Sequence, residues 1–181
     1  MSVHKGGATY GCNDTLRWTL TREWADGGKS ACFLGHNPST AGHELEDPTT
    51  LIWNYFARLW GCNRYTAVNL YPYRSPDPAA ARHWADWAST NDWTVRDLLM
   101  QNESIVVREA RKADIFVACY GAIAMDNAWN EHLLEAIQEG EWPYPDIYIF
   151  GLTANGSPKH PMARGKHRVQ RDQQPILWRS G

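Results

Sequence analysis

The chain has 181 residues, of which 43% are hydrophobic and 21% charged, with a formal net charge of −2. That size and balance suit one soluble domain with a substantial core, and the near-neutral charge removes any global attraction to nucleic acid. Its four cysteines show no CxxC spacing, no signal peptide is read at the start, and no apolar run is long enough to span a bilayer, so the expectation is a reduced, cytoplasmic protein without a membrane partner.

Residues 1–14 are polar and Gly-rich and read as a loose N-terminal lead-in. Thr15–Trp24 then alternates, with Leu16, Trp18 and Leu20 pointing one way and Arg17, Thr19 and Thr21 the other. This predicts a half-buried strand at a sheet edge. Asp26-Gly27-Gly28 turns the chain into a first buried strand, Ala31–Gly35. The loop that follows, Gly35-His36-Asn37-Pro38-Ser39-Thr40, combines a rigid proline, an Asn that tolerates unusual backbone angles, and two hydroxyls. Such a turn can place a water or hold a phosphate, or Asn37 and Ser39 can simply cap it. Glu44, Glu46 and Asp47 come next and are candidate bases. Asp47 is also a good N-cap and Pro48 a good first helical residue. Leu51, Ile52, Tyr55, Phe56, Leu59 and Trp60 recur at helical spacing, and Gly61 can close the helix.

A second buried strand, Tyr65–Leu70, ends in Asn69, whose amide carries donors and an acceptor and can read the edge of a planar heterocycle or be satisfied by backbone. Tyr71 and Tyr73 can stack on a base or pack; Arg74 can meet a phosphate or a carboxylate. Helices are predicted at about Pro78–Trp87, Asn91–Met100 and Glu103–Ala113, then a strand at Ile115–Cys119 running into Tyr120-Gly121-Ala122. Cys119 lies at that strand end, where core packing is a stronger reading than a nucleophilic role. A helix at about Met125–Glu139 and a strand at Ile147–Phe150 follow. The next loop runs from Gly151-Leu152-Thr153 to Lys159-His160-Pro161. His160, on a rigid segment, can hydrogen-bond a leaving group or a developing oxyanion, or be a plain surface residue. The last stretch, 163–181, reads as a basic C-terminal extension. From Lys159 on, Lys159, Arg164, Lys166, Arg168, Arg171 and Arg179 stand against Asp172, a local excess suited either to phosphate or to solvent.

Strands alternating with helices predict a single α/β domain over 1–181. Its expected form is three layers, α/β/α, around a mainly parallel central sheet of about four strands, with a possible N-terminal edge strand. Ligands of such sheets sit outside the carboxyl ends of the strands. Four polar loops at four strand ends therefore predict one site assembled from all of them. There is no GxSxG elbow, GxxxxGK[ST] loop or HExxH helix, and no metal or other cofactor is expected.

The segments Phe33-Leu34-Gly35-His36-Asn37-Pro38-Ser39-Thr40-Ala41, Asp47-Pro48-Thr49, Val68-Asn69-Leu70-Tyr71-Pro72-Tyr73-Arg74, Gly121-Ala122 and Gly151-Leu152-Thr153 through Gly156-Ser157-Pro158-Lys159-His160-Pro161 resemble the signature of a bacterial and phage family known as a domain of unknown function (number 1643), over roughly Leu16 to Met162. More distantly the same order is similar to the uracil-DNA glycosylase superfamily. That resemblance implies a uracil-DNA glycosylase-like fold, with Asn37 positioning the attacking water, Asn69 reading the base edge and His160 stabilising the departing base. It also implies a stacking ring from Trp53, Tyr55 or Phe56. Met162 stands where the superfamily has Ser after His-Pro. The catalytic candidates are thus Asn37 and His160. The substrate-binding candidates are Gly35, Pro38, Ser39, Thr40, Asn69, Tyr71, Arg74, Gly121 and Lys159. The expected activity is an N-glycosylase-like hydrolase acting on a base in DNA or a nucleoside derivative. The alternative is a binding module that uses the same cleft for a modified base or nucleotide. Nucleic acid or a nucleotide is the expected partner, with no obligate protein partner evident.

Overall fold

The computed structural model describes residues 5–90, 93–122, 127–140 and 143–181. Seven strands, β1 (Lys5–Gly11), β2 (Leu16–Glu23), β3 (Lys29–Gly35), β4 (Cys62–Asn69), β5 (Ile115–Ala118), β6 (Ile147–Ile149) and β7 (Ile176–Arg179), form one sheet in the order β1-β2-β4-β3-β5-β6-β7. Four helices, α1 (Pro48–Leu59), α2 (Pro78–Thr90), α3 (Trp93–Lys112) and α4 (Asn127–Gln138), connect its central strands.

The class is α/β, but the sheet is larger and more mixed than the mainly parallel, roughly four-stranded one expected. β4, β3, β5 and β6 pair parallel, whereas β1–β2, β2–β4 and β6–β7 pair antiparallel. Both added edges come from segments that read as loose. Residues 5–11 of the lead-in form β1, and the basic extension turns back as β7 to cover the outer edge of β6. β2 is consequently not an edge strand. It is also buried along most of its length, and the loop after β3 packs over it: Arg17 donates to Ala41 O, and Arg22 to Gly42 O, Leu45 O and Glu46 Oε1.

Side-chain alternation along the central strands divides the core. Cys32 and Leu34 face a cluster built with Ala81, Val95, Leu99 and Val106 of α2 and α3 and Leu133, Leu134 and Ile137 of α4. Ala31 and Phe33 face Trp53, Phe56 and Ala57 of α1. On α1 the buried stripe is Thr50, Trp53, Phe56 and Ala57, while Leu51, Tyr55 and Leu59 are exposed. The helical period is as predicted, but the buried face is rotated away from the most aliphatic stripe. The two helices predicted on either side of Met100–Glu103 are one helix, α3. Asn102 does not break it, because its amide donates to Asn69 O and Leu70 O instead of competing for its own helix backbone. Residues 91 and 125–126, predicted as helix starts, lie outside the described residues. Among the described residues no helix is long and apolar enough to cross a membrane.

This topology creates a crevice. The connection leaving β3 runs through α1 to β4 on one side, and the connection leaving β5 runs through α4 to β6 on the other. The carboxyl ends of the neighbouring strands β3 and β5 therefore form a switch point, the place where open α/β sheets hold ligands.

Candidate functional site

A cavity of about 480 Å³ opens at this switch point. Loops after all four parallel strands reach it: Gly35, His36, Asn37 and Ser39 after β3, Asn69 and Ser75 at and after β4, Tyr120 and Gly121 after β5, and Thr153, His160 and Met162 after β6. Asp47, Thr49 and Trp53 line it from the start of α1, and Arg17 from β2.

Gly35 and Asn69 meet in its wall. A Cβ on Gly35 would stand 2.9 Å from Asn69 Oδ1 and 3.4 Å from the Trp53 ring, so only glycine leaves room for both. Trp53 is held flat against Phe33, with ring centroids 5.5 Å apart and planes at 10°. Asn69 is 1% exposed, and its Nδ2 is sealed without an acceptor among the described residues. A donor left this way is costly in a folded protein, and here it borders a cavity that a ligand acceptor can enter.

Asn37 is positioned differently. Its Nδ2 donates to Ser75 O at 2.8 Å and Pro38 O at 3.1 Å, which fixes the orientation of the amide, and its Oδ1 lies 3.0 Å from His36 Nδ1. The acceptor character of Oδ1 puts the His36 proton on Nδ1. That leaves His36 Nε2 as a bare acceptor, buried and without a partner among the described residues. Burial lowers the His36 pKa from its ordinary value.

His160 has the opposite tautomer. The backbone N–H of Met162 donates to its Nδ1 at 3.1 Å, so the proton of the neutral ring belongs on Nε2. Burial, with His36 adding to it, pushes the His160 pKa down to about 4, which keeps the ring neutral and a donor at physiological pH. Gly121 makes this placement possible. Its φ is +79°, a Cβ there would come within 3.0 Å of His160 Cβ, and its N–H donates to Pro158 O at 3.0 Å.

Asp47 caps α1 as the sequence predicts: Oδ1 accepts from Thr50 N at 2.8 Å and Thr50 Oγ1 accepts from Asp47 N at 2.8 Å. Its carboxylate borders the cavity. Arg17 is 2% exposed and makes one guanidinium hydrogen bond among the described residues, Nη1 to Ala41 O at 2.7 Å. Its Nε has no acceptor among the described residues. Burial lowers its pKa to about 10, with Asp47 opposing that shift.

Of the predicted site residues, Gly35, Asn37, Ser39, Asn69, Gly121 and His160 line the cavity; Pro38, Thr40, Tyr71, Arg74 and Lys159 do not. Tyr71 is buried in the core, edge-on to His36 with centroids 5.3 Å apart. Tyr73 stacks on Trp84 at 5.6 Å. Arg74 donates to Asp14 O at 2.8 Å and lies over the Tyr10 ring. Lys159 lies along Gly151, and Thr40 is exposed. Cys119 is fully buried, and burial pushes its thiol up to about 12, the environment of an inert core cysteine. Of the three candidate stacking rings, Trp53 reaches the cavity, Phe56 is core, and Tyr55 is exposed beneath Arg171. His36 and Arg17 are the residues that sequence reasoning passed over. His36 had a signal, sitting beside Asn37 in the first loop. Arg17 had none, because its reach into the cavity depends on β2 lying alongside the segment after β4, with Arg17 N donating to Pro72 O and Leu16 bridging Tyr73.

A family model described as "Protein of unknown function (DUF1643)" matches residues 17–162, a span that takes in the cavity-lining residues from Arg17 to Met162. No curated protein and no solved structure matches the chain.

Proposed function

The chain belongs to that family, and we propose that its cavity takes up a nucleobase or nucleotide and hydrolyses the N-glycosidic bond, as the distant resemblance to uracil-DNA glycosylases suggests. The observation that carries this reading is the fixed tautomer of His160, with Met162 N–H on Nδ1 and therefore a neutral Nε2–H donor beside a cavity that also holds the Asp47 carboxylate. In the proposed reaction the C1′–N bond breaks and its electron pair leaves with the base. Negative charge develops on the base, and His160 Nε2–H hydrogen-bonds the oxygen that carries it. The sugar becomes oxocarbenium-like, and a water adds to C1′ while giving its proton to Asp47. Asn69 Nδ2 supplies a donor to the base edge, and Trp53 a flat apolar wall. Water placement is assigned to Asp47 and not to Asn37, since the Asn37 amide is engaged by Ser75, Pro38 and His36.

The test is release of free base from oligonucleotides carrying uracil, mismatched thymine or hypermodified bases, and from nucleoside monophosphates. Asp47→Asn preserves the helix cap and is expected to lower turnover by roughly 10²- to 10⁴-fold, the usual worth of a general base. No released base from any substrate in the panel overturns the hydrolase reading. A second reading, a binding module without chemistry, is favoured by that same engagement of Asn37. It predicts ligand affinity that Asp47→Asn leaves unchanged and Asn69→Ala removes, with no turnover in the parent protein.

A further inference from the structure

β2 carries two buried arginines, and they are treated differently. Arg22, 1% exposed, makes four guanidinium hydrogen bonds: Nε meets Glu46 Oε1 at 2.7 Å, Nη1 donates to Thr21 O at 2.8 Å, and Nη2 to Gly42 O at 2.7 Å and Leu45 O at 3.2 Å. Arg17, equally buried, has one hydrogen bond, to Ala41 O, and no ion pair with any acid among the described residues. The loop after β3 therefore neutralises one guanidinium with its own glutamate and leaves the other bordering the cavity. Asp47 acts on Arg17 through space but not in ion-pair contact; a buried cation without a contacting counter-charge is expensive, and an anionic ligand group would supply the contact that the fold does not. Ser39 and Ser75 line the cavity too and offer further polar contacts.

We infer that the Arg17 end of the cavity is a subsite for a phosphate monoester, so that the ligand is a nucleoside monophosphate and not a neutral base, a nucleoside or an internal residue of a polymer. This rests on the nucleobase reading above and adds the charge that reading lacks. A monoester has a terminal dianion that a guanidinium can receive inside a closed wall through charge-assisted hydrogen bonds. A polymer needs a basic track for its flanking phosphates. Of the C-terminal arginines, Arg171 lies over the Tyr55 ring and Arg179 meets Glu131, Arg164 lines the same cavity, and the net charge is −2.

The experiment follows intrinsic Trp fluorescence and thermal unfolding of the full chain. The probes are common deoxynucleosides, their 5′-monophosphates, single-stranded oligonucleotides and inorganic phosphate. A monophosphate is expected to bind roughly 10- to 100-fold more tightly than its nucleoside, the worth of a hydrogen bond to a charged group. Arg17→Gln is expected to erase that advantage without changing nucleoside affinity, and Arg17→Lys to keep part of it. Equal affinity for nucleoside and monophosphate, or an advantage that survives Arg17→Gln, overturns the subsite while leaving the nucleobase reading intact. Oligonucleotides binding as tightly as the monophosphates overturn the monoester assignment. If no nucleoside or nucleotide binds but inorganic phosphate stabilises the parent protein and not Arg17→Gln, the nucleobase reading fails and the anion subsite stands. No response to any probe overturns both. Should Arg17→Gln not fold, the parent series decides by itself.

Discussion

His160 and Asn69 carry opposite kinds of evidence about the site. His160 is held by the fold in one protonation state. Its pKa is near 4 in the folded chain against about 6.5 for an unperturbed histidine. The folded state thus refuses a proton that the unfolded state accepts. Above about pH 6.5 the stabilisation is complete, and it drains away as the pH falls toward 4, by up to about 3 kcal/mol over the whole window. Urea unfolding at pH 7 and pH 4.5 should therefore show a larger acid loss in the parent protein than in His160→Gln, the comparison that removes the parallel contribution of His36. Equal losses in the two proteins would dismiss the depressed pKa. Asn69 instead presents a sealed donor with no partner among the described residues. Asn69→Ala deletes an unsatisfied group, which offsets the lost packing, so stability should change by less than about 1 kcal/mol. Ligand affinity should fall at least tenfold, because a ligand acceptor loses its donor. A variant that unfolds easily but binds normally would make Asn69 a structural residue. Asn69 was legible in the sequence because a polar residue closing an apolar strand is conspicuous. The direction of its amide was not, since that depends on Gly35 beside it.

At the scale of elements, what could be read was the periodic part. β3, β4, β5 and β6 were visible as apolar runs, and α1 from Asp47, Pro48 and its helical spacing. What escaped was everything that depends on a neighbour. β1 is KGGATYG, and nothing in so Gly-rich a segment announces a strand until β2 is there to pair with it. The buried face of α1 was misjudged because Leu51 and Leu59 outweigh Ala57 and Thr50 in apolar character, yet Phe33, Tyr65 and Phe150 form an aromatic surface that accepts Trp53, Phe56 and Trp60. The turn after β5 shows how one element positions another. Gly121 joins the β5 end to the His160 segment through Pro158 O and leaves space for the His160 Cβ. Gly121→Ala meets both a left-handed backbone and a 3.0 Å contact, so the expected loss is about 1–3 kcal/mol. It should also displace His160, lowering activity or affinity beyond what the stability loss explains. Measuring both at a temperature where the variant is fully folded separates the two effects. Unaltered function there would mean that the turn yields without moving the imidazole.

For the molecule as a whole, the question is whether residues 163–181 belong to the site or merely follow it. As a basic stretch they read as an extension suited either to phosphate or to solvent, and the fold gives them a structural role as well. Val169 is buried against the α1 side of the core, Trp60 Nε1 donates to Gln173 O at 3.0 Å, and β7 pairs along β6. Beyond those contacts, Arg179 meets both Glu131 oxygens at 2.9 and 2.7 Å, and Gly181 N donates to Asp146 Oδ1 at 3.0 Å. The cavity-lining residues Met162, Ala163, Arg164 and His167 therefore lie on a strap tied at both ends, by β6 before it and β7 after it. Deleting residues 174–181 removes the second tie while leaving every cavity-lining residue in the chain. If the segment is an extension, stability and binding survive. If it is the strap the fold shows, stability falls by about 2–4 kcal/mol through lost packing of Trp178 and lost pairing. Amide exchange across 162–169 quickens, and ligand affinity drops further than global stability requires. The bared β6 edge should also drive concentration-dependent association, visible by size-exclusion chromatography at raised protein concentration. Unchanged exchange protection in 162–169 after the deletion would show that the cavity wall stands without β7.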